Sequence, residues 1–76
     1  MKKHYYEVYV GNIGNAHVGY DEKQANTEFE EYVRITLTNK SHRCYEESVI
    51  LYCDGKVERE HIGQVDIREM NKYLEA

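Results

Sequence analysis

The stretch VILYCDGKVEREHIG, residues 49–63, contains two residues of types that bind metals or act in catalysis, Cys53 and His61. Zinc sites are typically built from closely spaced pairs of cysteines or histidines. His42 and Cys44 form one close pair, but no second pair follows at a matching interval. The sequence therefore predicts no metal site and no cofactor.

Nucleophilic catalysis is the other chemistry that these residue types allow, and it requires Ser or Cys beside a His that a carboxylate orients. In a hairpin with a two-residue Asp-Gly turn, His61 lies opposite Ser48, and Glu46 or Glu60 is nearby. Contacts of this kind arise in many sheets, and a chain of this size offers no evident oxyanion loop. We therefore expect a protein that is not an enzyme. A small hydrolase or redox protein that uses Cys53, or Ser48 with His61, is the alternative.

Length and charge exclude several classes of function. The chain has 76 residues, enough for one domain over residues 1–76, and fourteen acidic residues against ten basic ones give a net charge of −4. Binding to nucleic acid requires clustered Lys and Arg, so no direct nucleic-acid partner is expected. No apolar run approaches the roughly 18–20 residues of a membrane span, and no signal peptide precedes the first strand. We expect a cytoplasmic protein with no membrane partner.

Alternating apolar residues predict a first hairpin from HYYEVYV and AHVGY. If Val10 pairs with Val18 and Val8 with Tyr20, all four apolar side chains lie on one sheet face. That register leaves a three-residue loop at residues 13–15.

A helix follows the first hairpin, and Asp21 is its predicted N-cap. Its predicted buried stripe consists of Ala25, Phe29, Tyr32, Val33 and Leu37. A second hairpin turns at Asp-Gly, with Cys53 opposite Lys56 and Tyr52 opposite Val57. Asp66 is the predicted cap of a last short helix, whose apolar face consists of Ile67, Met70, Tyr73 and Leu74. The order β-β-α-β-β-α predicts an α+β fold, a four-stranded antiparallel sheet with two helices on one face.

Helices on one face leave the other face of the sheet uncovered. The residues predicted on that uncovered face are Tyr5, Tyr9, Ile50, Tyr52 and Val57, edged by Arg59 and His61. A tyrosine-rich apolar face with a charged edge is typical of a protein-binding surface, for a target protein or for a second copy in a homodimer. The alternative binding surface is acidic and consists of Glu28, Glu30 and Glu31 on the first helix.

Three segments give the chain its layout: YYEVYVGNIGNAHVGY, DEKQANTEFEEYVRITL and ESVILYCDGKVEREHIG. This layout, with the patterns F-x-x-Y-V and V-x-L-x-x-D-G, resembles small accessory proteins of phages and other mobile elements. That loose class includes anti-CRISPR proteins and other inhibitors of host antiviral defence. The resemblance implies a non-catalytic binder that acts by stoichiometric occlusion of a host protein, and it implies no particular site residue.

Overall fold

The computed structural model describes the backbone of residues 3–75 and the side chains of residues 3–72. Four strands form one antiparallel sheet in the order β2-β1-β3-β4, which confirms the predicted α+β fold class. The elements are β1 (Tyr6–Val10), β2 (Gly14–Gly19), α1 (Glu22–Thr38), β3 (Val49–Cys53), β4 (Lys56–His61) and α2 (Gln64–Glu75).

The hydrophobic core lies between α1 and one face of the two central strands. Alternate residues of β1 and β3 lie opposite each other on this face: Tyr6 and Cys53, Val8 and Leu51, Val10 and Val49. Four of these six side chains are completely buried, and Ala25 and Phe29 of α1 pack against them. Full burial of a Val or Leu side chain contributes about 1.5–3 kcal/mol, so burial of this strip stabilises the fold.

Helix α1 begins as predicted but buries a slightly different stripe. The Asp21 side chain accepts a hydrogen bond from the backbone N–H of Gln24 at 3.1 Å, as an N-cap does. Leu37, expected in the core, is 59% exposed, whereas Thr36 is buried. The chain returns past Thr36, whose carbonyl accepts from the N–H of Glu46 at 3.0 Å. The returning segment therefore covers the Thr36 side of the helix and leaves Leu37 in solvent.

The first hairpin has the predicted loop length but a different register. Val10 lies opposite Gly14, which leaves residues 11–13 as the loop, and Val8 lies opposite His17. A β-bulge at Ala16 accounts for the odd residue on β2. The predicted pairing of Val8 with Tyr20 is therefore wrong.

The second hairpin has the predicted turn, but the register of its two strands shifts by one residue beyond the first two pairs. Asp54 and Gly55 have φ of 52° and 82°, as a two-residue turn of this hand requires. Cys53 lies opposite Lys56 and Tyr52 opposite Val57, but the register shifts at the next step. Beyond the shift, Leu51 lies opposite Arg59 and Val49 opposite His61. Because Leu51 and Val49 belong to the core face, Arg59 and His61 lie on the α1 side of the sheet and not at the edge of the uncovered face.

Helix α2 begins at Gln64, two residues before the predicted cap. Asp66 lies inside the first turn, and its carboxylate accepts a hydrogen bond from the Ser48 hydroxyl. The start of α2 is held against the segment before β3, since the N–H of Val65 donates to the carbonyl of Glu46 at 3.1 Å. The guanidinium of Arg68 contacts the Glu46 carboxylate at 2.6 Å.

Both predicted helices are present, and within the described residues α2 is attached by its first turn to the segment before β3. Its contacts run to the segment before β3, whereas α1 packs on β1, β2 and β3. Ile67 and Met70 of its apolar face are exposed, and the side chains of Tyr73 and Leu74 lie outside the described residues. In the part of the chain that the structure describes, neither helix is long and apolar enough to cross a membrane.

Candidate binding surface

The face of the sheet opposite α1 is the candidate binding surface. Residues of β1 and β3 that alternate with the core residues lie opposite each other here, Tyr9 with Ile50 and Glu7 with Tyr52. We call this surface the helix-free face, and its residues are Tyr5, Glu7, Tyr9, Val18, Tyr20, Ile50, Tyr52, Val57 and Glu60. Five of the seven predicted contact residues therefore lie together: Tyr5, Tyr9, Ile50, Tyr52 and Val57.

Apolar side chains on the helix-free face are open to solvent. Tyr9 is 44% exposed, Val18 50%, Val57 55% and Tyr20 63%. Tyr5, Ile50 and Tyr52 of the same face are half-buried. An antiparallel sheet that faces water on one side usually carries polar residues there. This face carries apolar side chains from all four strands, which is unusual for a surface with no covering partner.

Val18 and Tyr20 belong to the helix-free face, although the predicted register placed them on the same face as Val8 and Val10. The Tyr20 ring lies 5.3 Å from that of Tyr5, centroid to centroid, and tilted by 58°. Their placement follows from the β-bulge at Ala16, which shifts the register so that Val18 lies opposite Glu7. Within the loop of this hairpin Asn12 has a φ of 68°, and Gly14 at the start of β2 has a φ of 98°. Asn and Gly at these positions are the signal that could have located the loop, because both tolerate left-handed conformations.

Arg59, predicted at the edge of the binding surface, instead packs on α1. Its guanidinium carbon lies 4.5 Å from the centroid of the Phe29 ring. Its Nη1 donates to Asn26 Oδ1 at 3.0 Å and to Glu30 Oε1 at 3.2 Å. Arg59 therefore joins β4 to the helix. His61 lies two residues further along the same side of β4.

The alternative acidic surface on α1 is partly neutralised by neighbouring arginines. Glu30 pairs with Arg59, and Glu31 pairs with Arg34 at 3.0 Å, whereas Glu28 is half-buried. Two of the three carboxylates thus have a cationic partner in the chain itself. These ion pairs reduce the negative charge that the acidic surface presents to a partner.

Ser48 and His61, the residues of the catalytic alternative, do not lie directly opposite each other in the sheet. The Ser48 hydroxyl, besides donating to Asp66, accepts a hydrogen bond from the N–H of Gly63 at 2.8 Å. His61 lies opposite Val49 and not opposite Ser48. Burial raises the pKa of the Cys53 thiol, and the nearby negative charge of Asp54 raises it further, so the reactive thiolate is disfavoured.

His4, which belongs to no predicted site, lies beside the turn of the second hairpin. Its Nδ1 is 2.6 Å from Asp54 Oδ2, and the other oxygen of this carboxylate accepts from the N–H of Tyr5 at 2.9 Å. The Tyr5 N–H and the His4 ring together lower the pKa of Asp54, and the bond to Asp54 raises the pKa of His4. No local sequence pattern predicts this contact, because it joins residues fifty positions apart.

Comparison of the chain with protein-family models, curated proteins and solved structures gives no match. The possible uses of the helix-free face are therefore inferred from its exposure, composition and charge.

Proposed function

We propose that this chain is a non-catalytic protein-binding module whose contact surface is the helix-free face. The observation that supports the proposal is the row of exposed apolar side chains that all four strands contribute to this face, with Tyr9, Val18 and Val57 each 44% exposed or more. Tyrosine suits such a surface because its ring buries a large apolar area while its hydroxyl still reaches water or a partner. A rigid sheet also presents these side chains without a large loss of conformational entropy on binding.

The charge of the face indicates the chemistry of the partner. Glu7 and Glu60 lie among the apolar residues, and the whole chain has a net charge of −4. A complementary partner has an apolar patch bordered by Lys or Arg, and opposite charge accelerates association. An interface of about 800 Å² per partner would take roughly one seventh of the 5600 Å² surface of this chain. A small domain can supply that area from one face.

The finer proposal is that binding blocks a host defence protein, with the chain encoded by a phage or another mobile element. Its support is the resemblance of the layout to that of phage accessory proteins, together with the small size, acidic charge and tyrosine content of the chain. Stoichiometric occlusion needs no catalytic group and only one good surface. Expression of the chain should then restore phage infection in a host that carries the targeted defence system, and a Tyr9→Lys variant should not.

The proposal is tested by capture of partners from a host lysate on the immobilised chain. Tyr9→Lys and Val57→Lys change exposed residues of the helix-free face, and Leu37→Lys is the matched control because Leu37 is a similarly exposed residue on α1. The expected result is a protein retained by the wild type and by the control but lost by both face variants. Retention by all four chains would contradict the proposal.

Self-association is the linked alternative, and the same variants distinguish it. A homodimer through this face would bring two acidic surfaces together, which favours a foreign partner over a second copy. Light scattering of the chain alone should therefore give the monomer mass. A dimer mass that falls to the monomer mass in Tyr9→Lys, but not in Leu37→Lys, would assign the face to a second copy.

A further inference from the structure

We propose that His4, Cys53 and Asp54 form a binding site for a divalent zinc ion. One ligand atom from each residue, an imidazole nitrogen, the thiol sulfur and a carboxylate oxygen, lies within 4.8 Å of each of the other two. The site is at the turn between β3 and β4, on residues other than those of the helix-free face. It is therefore independent of the proposed protein-binding function.

The topology of the sheet brings these three residues together. Because β1 lies next to β3 with Tyr6 opposite Cys53, the residues just before β1 lie against the turn just after β3. Asp54 is fixed in that turn by two hydrogen bonds to Tyr5: its N–H donates to the Tyr5 carbonyl at 2.8 Å, and its carboxylate accepts from the Tyr5 N–H at 2.9 Å. The Tyr5 N–H therefore orients the Asp54 carboxylate. In known metal sites, the ligands are commonly oriented by hydrogen bonds from groups that do not themselves bind the metal.

His4 is the ligand that can adjust. Its ring lies 6.5 Å from that of Tyr6 in an edge-on arrangement, and its side chain is 52% exposed. Tetrahedral zinc holds nitrogen and oxygen ligands roughly 3.3 Å apart, since each lies about 2.0–2.1 Å from the ion. The present separation of His4 Nδ1 and Asp54 Oδ2 is 2.6 Å. A displacement of the exposed ring by roughly 1 Å makes room for the ion.

The set of donor atoms selects zinc over the common hard cations. Mg²⁺ and Ca²⁺ bind oxygen ligands almost exclusively, whereas zinc accepts sulfur, nitrogen and oxygen together. Three protein ligands leave the fourth tetrahedral position for a water molecule or for a side chain of a partner. On binding, the Cys53 thiol releases its proton to solvent, and the thiolate sulfur donates an electron pair to the ion with no change of oxidation state.

The test uses the full chain without a polyhistidine tag, titrated with Zn²⁺ in a calorimeter and with Co²⁺ in a spectrophotometer. We expect one Zn²⁺ per chain and a near-ultraviolet sulfur-to-cobalt charge-transfer band. Cys53→Ser should abolish that band, and His4→Ala should weaken Zn²⁺ binding at least about tenfold, in the range found when a ligand or its support is lost. Asp54→Asn should weaken it similarly, and it leaves the turn intact because Asn also tolerates a left-handed conformation.

Two control variants separate this site from nonspecific binding. Cys44→Ala removes the other thiol, and His61→Gln removes a histidine outside the site. Both should keep the affinity and the charge-transfer band, and circular dichroism of every variant establishes that it is folded. Any of three results would overturn the proposal. They are no heat of Zn²⁺ binding for the wild type, a charge-transfer band that persists in Cys53→Ser, and a loss of Zn²⁺ affinity in the two control variants as large as in the site variants.

Discussion

Replacement of Arg59 by Ala tests which residues lie on each face of the sheet. The sequence predicted Arg59 at the edge of the binding surface, whereas in the structure it packs against α1. Its guanidinium lies over Phe29 and bonds to Asn26 and Glu30. A cation–π contact of this kind contributes about 0.5–2 kcal/mol, the bond to Asn26 about 0.5–1.5 kcal/mol and the exposed pair with Glu30 about 0–1 kcal/mol. Since the Arg59 side chain is 39% exposed, we expect a combined loss of about 1–3 kcal/mol.

The assay is urea unfolding followed by circular dichroism, with thermal unfolding alongside. Arg34→Ala is the matched control, because among the described residues the Arg34 side chain pairs only with Glu31, which is exposed and one turn away on the same helix. That variant should lose less than about 0.5 kcal/mol. For a chain of this size, each kcal/mol lowers the melting temperature by roughly 4–8 °C, so the two variants are easily distinguished.

Arg59→Ala should also keep its affinity for a captured partner at temperatures where it is folded, since Arg59 lies on the α1 side of the sheet. Equal stability of Arg59→Ala and Arg34→Ala would refute the packing described for Arg59. Loss of partner binding with no loss of stability would indicate that Arg59 belongs to the binding surface, as the sequence predicted.

Three further substitutions have expected outcomes. Gly63→Ala should cost about 1–3 kcal/mol in urea unfolding, because an added Cβ would overlap the backbone of residues 46–47; an unchanged midpoint would contradict this packing. Burial, followed by the negative charge of Asp66, raises the pKa of Glu47 above its ordinary value of 4.5, so ionised Glu47 destabilises the fold as pH rises through that folded pKa. Glu47→Gln should therefore raise the melting temperature near neutral pH but not well below pH 4.5. An equal gain at both pH values would contradict a raised pKa for Glu47. His17→Leu should stabilise the chain by up to about 1–3 kcal/mol, since His17 Nε2 is buried without a hydrogen-bond partner in the described residues; destabilisation would show that this nitrogen has a partner.

Helical periodicity predicted α1 well and could have predicted its buried stripe better. At about 100° per residue, positions 25, 29, 32 and 36 form one narrow stripe, and position 37 lies about 100° from position 36. Leu37 was predicted in the buried stripe because it is hydrophobic. The helical angle instead places Thr36 in that stripe, and Thr36 is buried. The cap at Asp21 depends only on local chemistry, so the sequence predicted it.

Strand alternation predicted the uncovered face but not its edges. Tyr9, Tyr52 and Val57 lie on strand segments before any irregularity, and simple alternation placed them correctly. Each β-bulge adds one residue and exchanges the two faces for everything beyond it, which moved Val18 outward and Arg59 inward. A bulge has no dependable local sequence pattern, because its cause is the packing of the strand against its neighbours.

Contacts between distant segments depended on strand order, which the local sequence pattern does not determine. His4 meets Cys53 and Asp54 only because β1 lies beside β3 in this sheet. Because His4 is far from Cys53 and Asp54 along the chain, the spacing of these residues in the sequence does not indicate such a group. The position of α2 has the same origin, since its attachment to the segment before β3 is a tertiary contact.

Hydroxyl-radical footprinting with mass spectrometry tests most directly whether the helix-free face is the contact surface. Tyr9 on that face and Met70 on α2 are both exposed and both carry reactive side chains, so each chain contains its own reference. We predict that complex formation with a captured partner protects Tyr9 and leaves the oxidation of Met70 unchanged. Protection of Met70 with Tyr9 still reactive would contradict the proposed function.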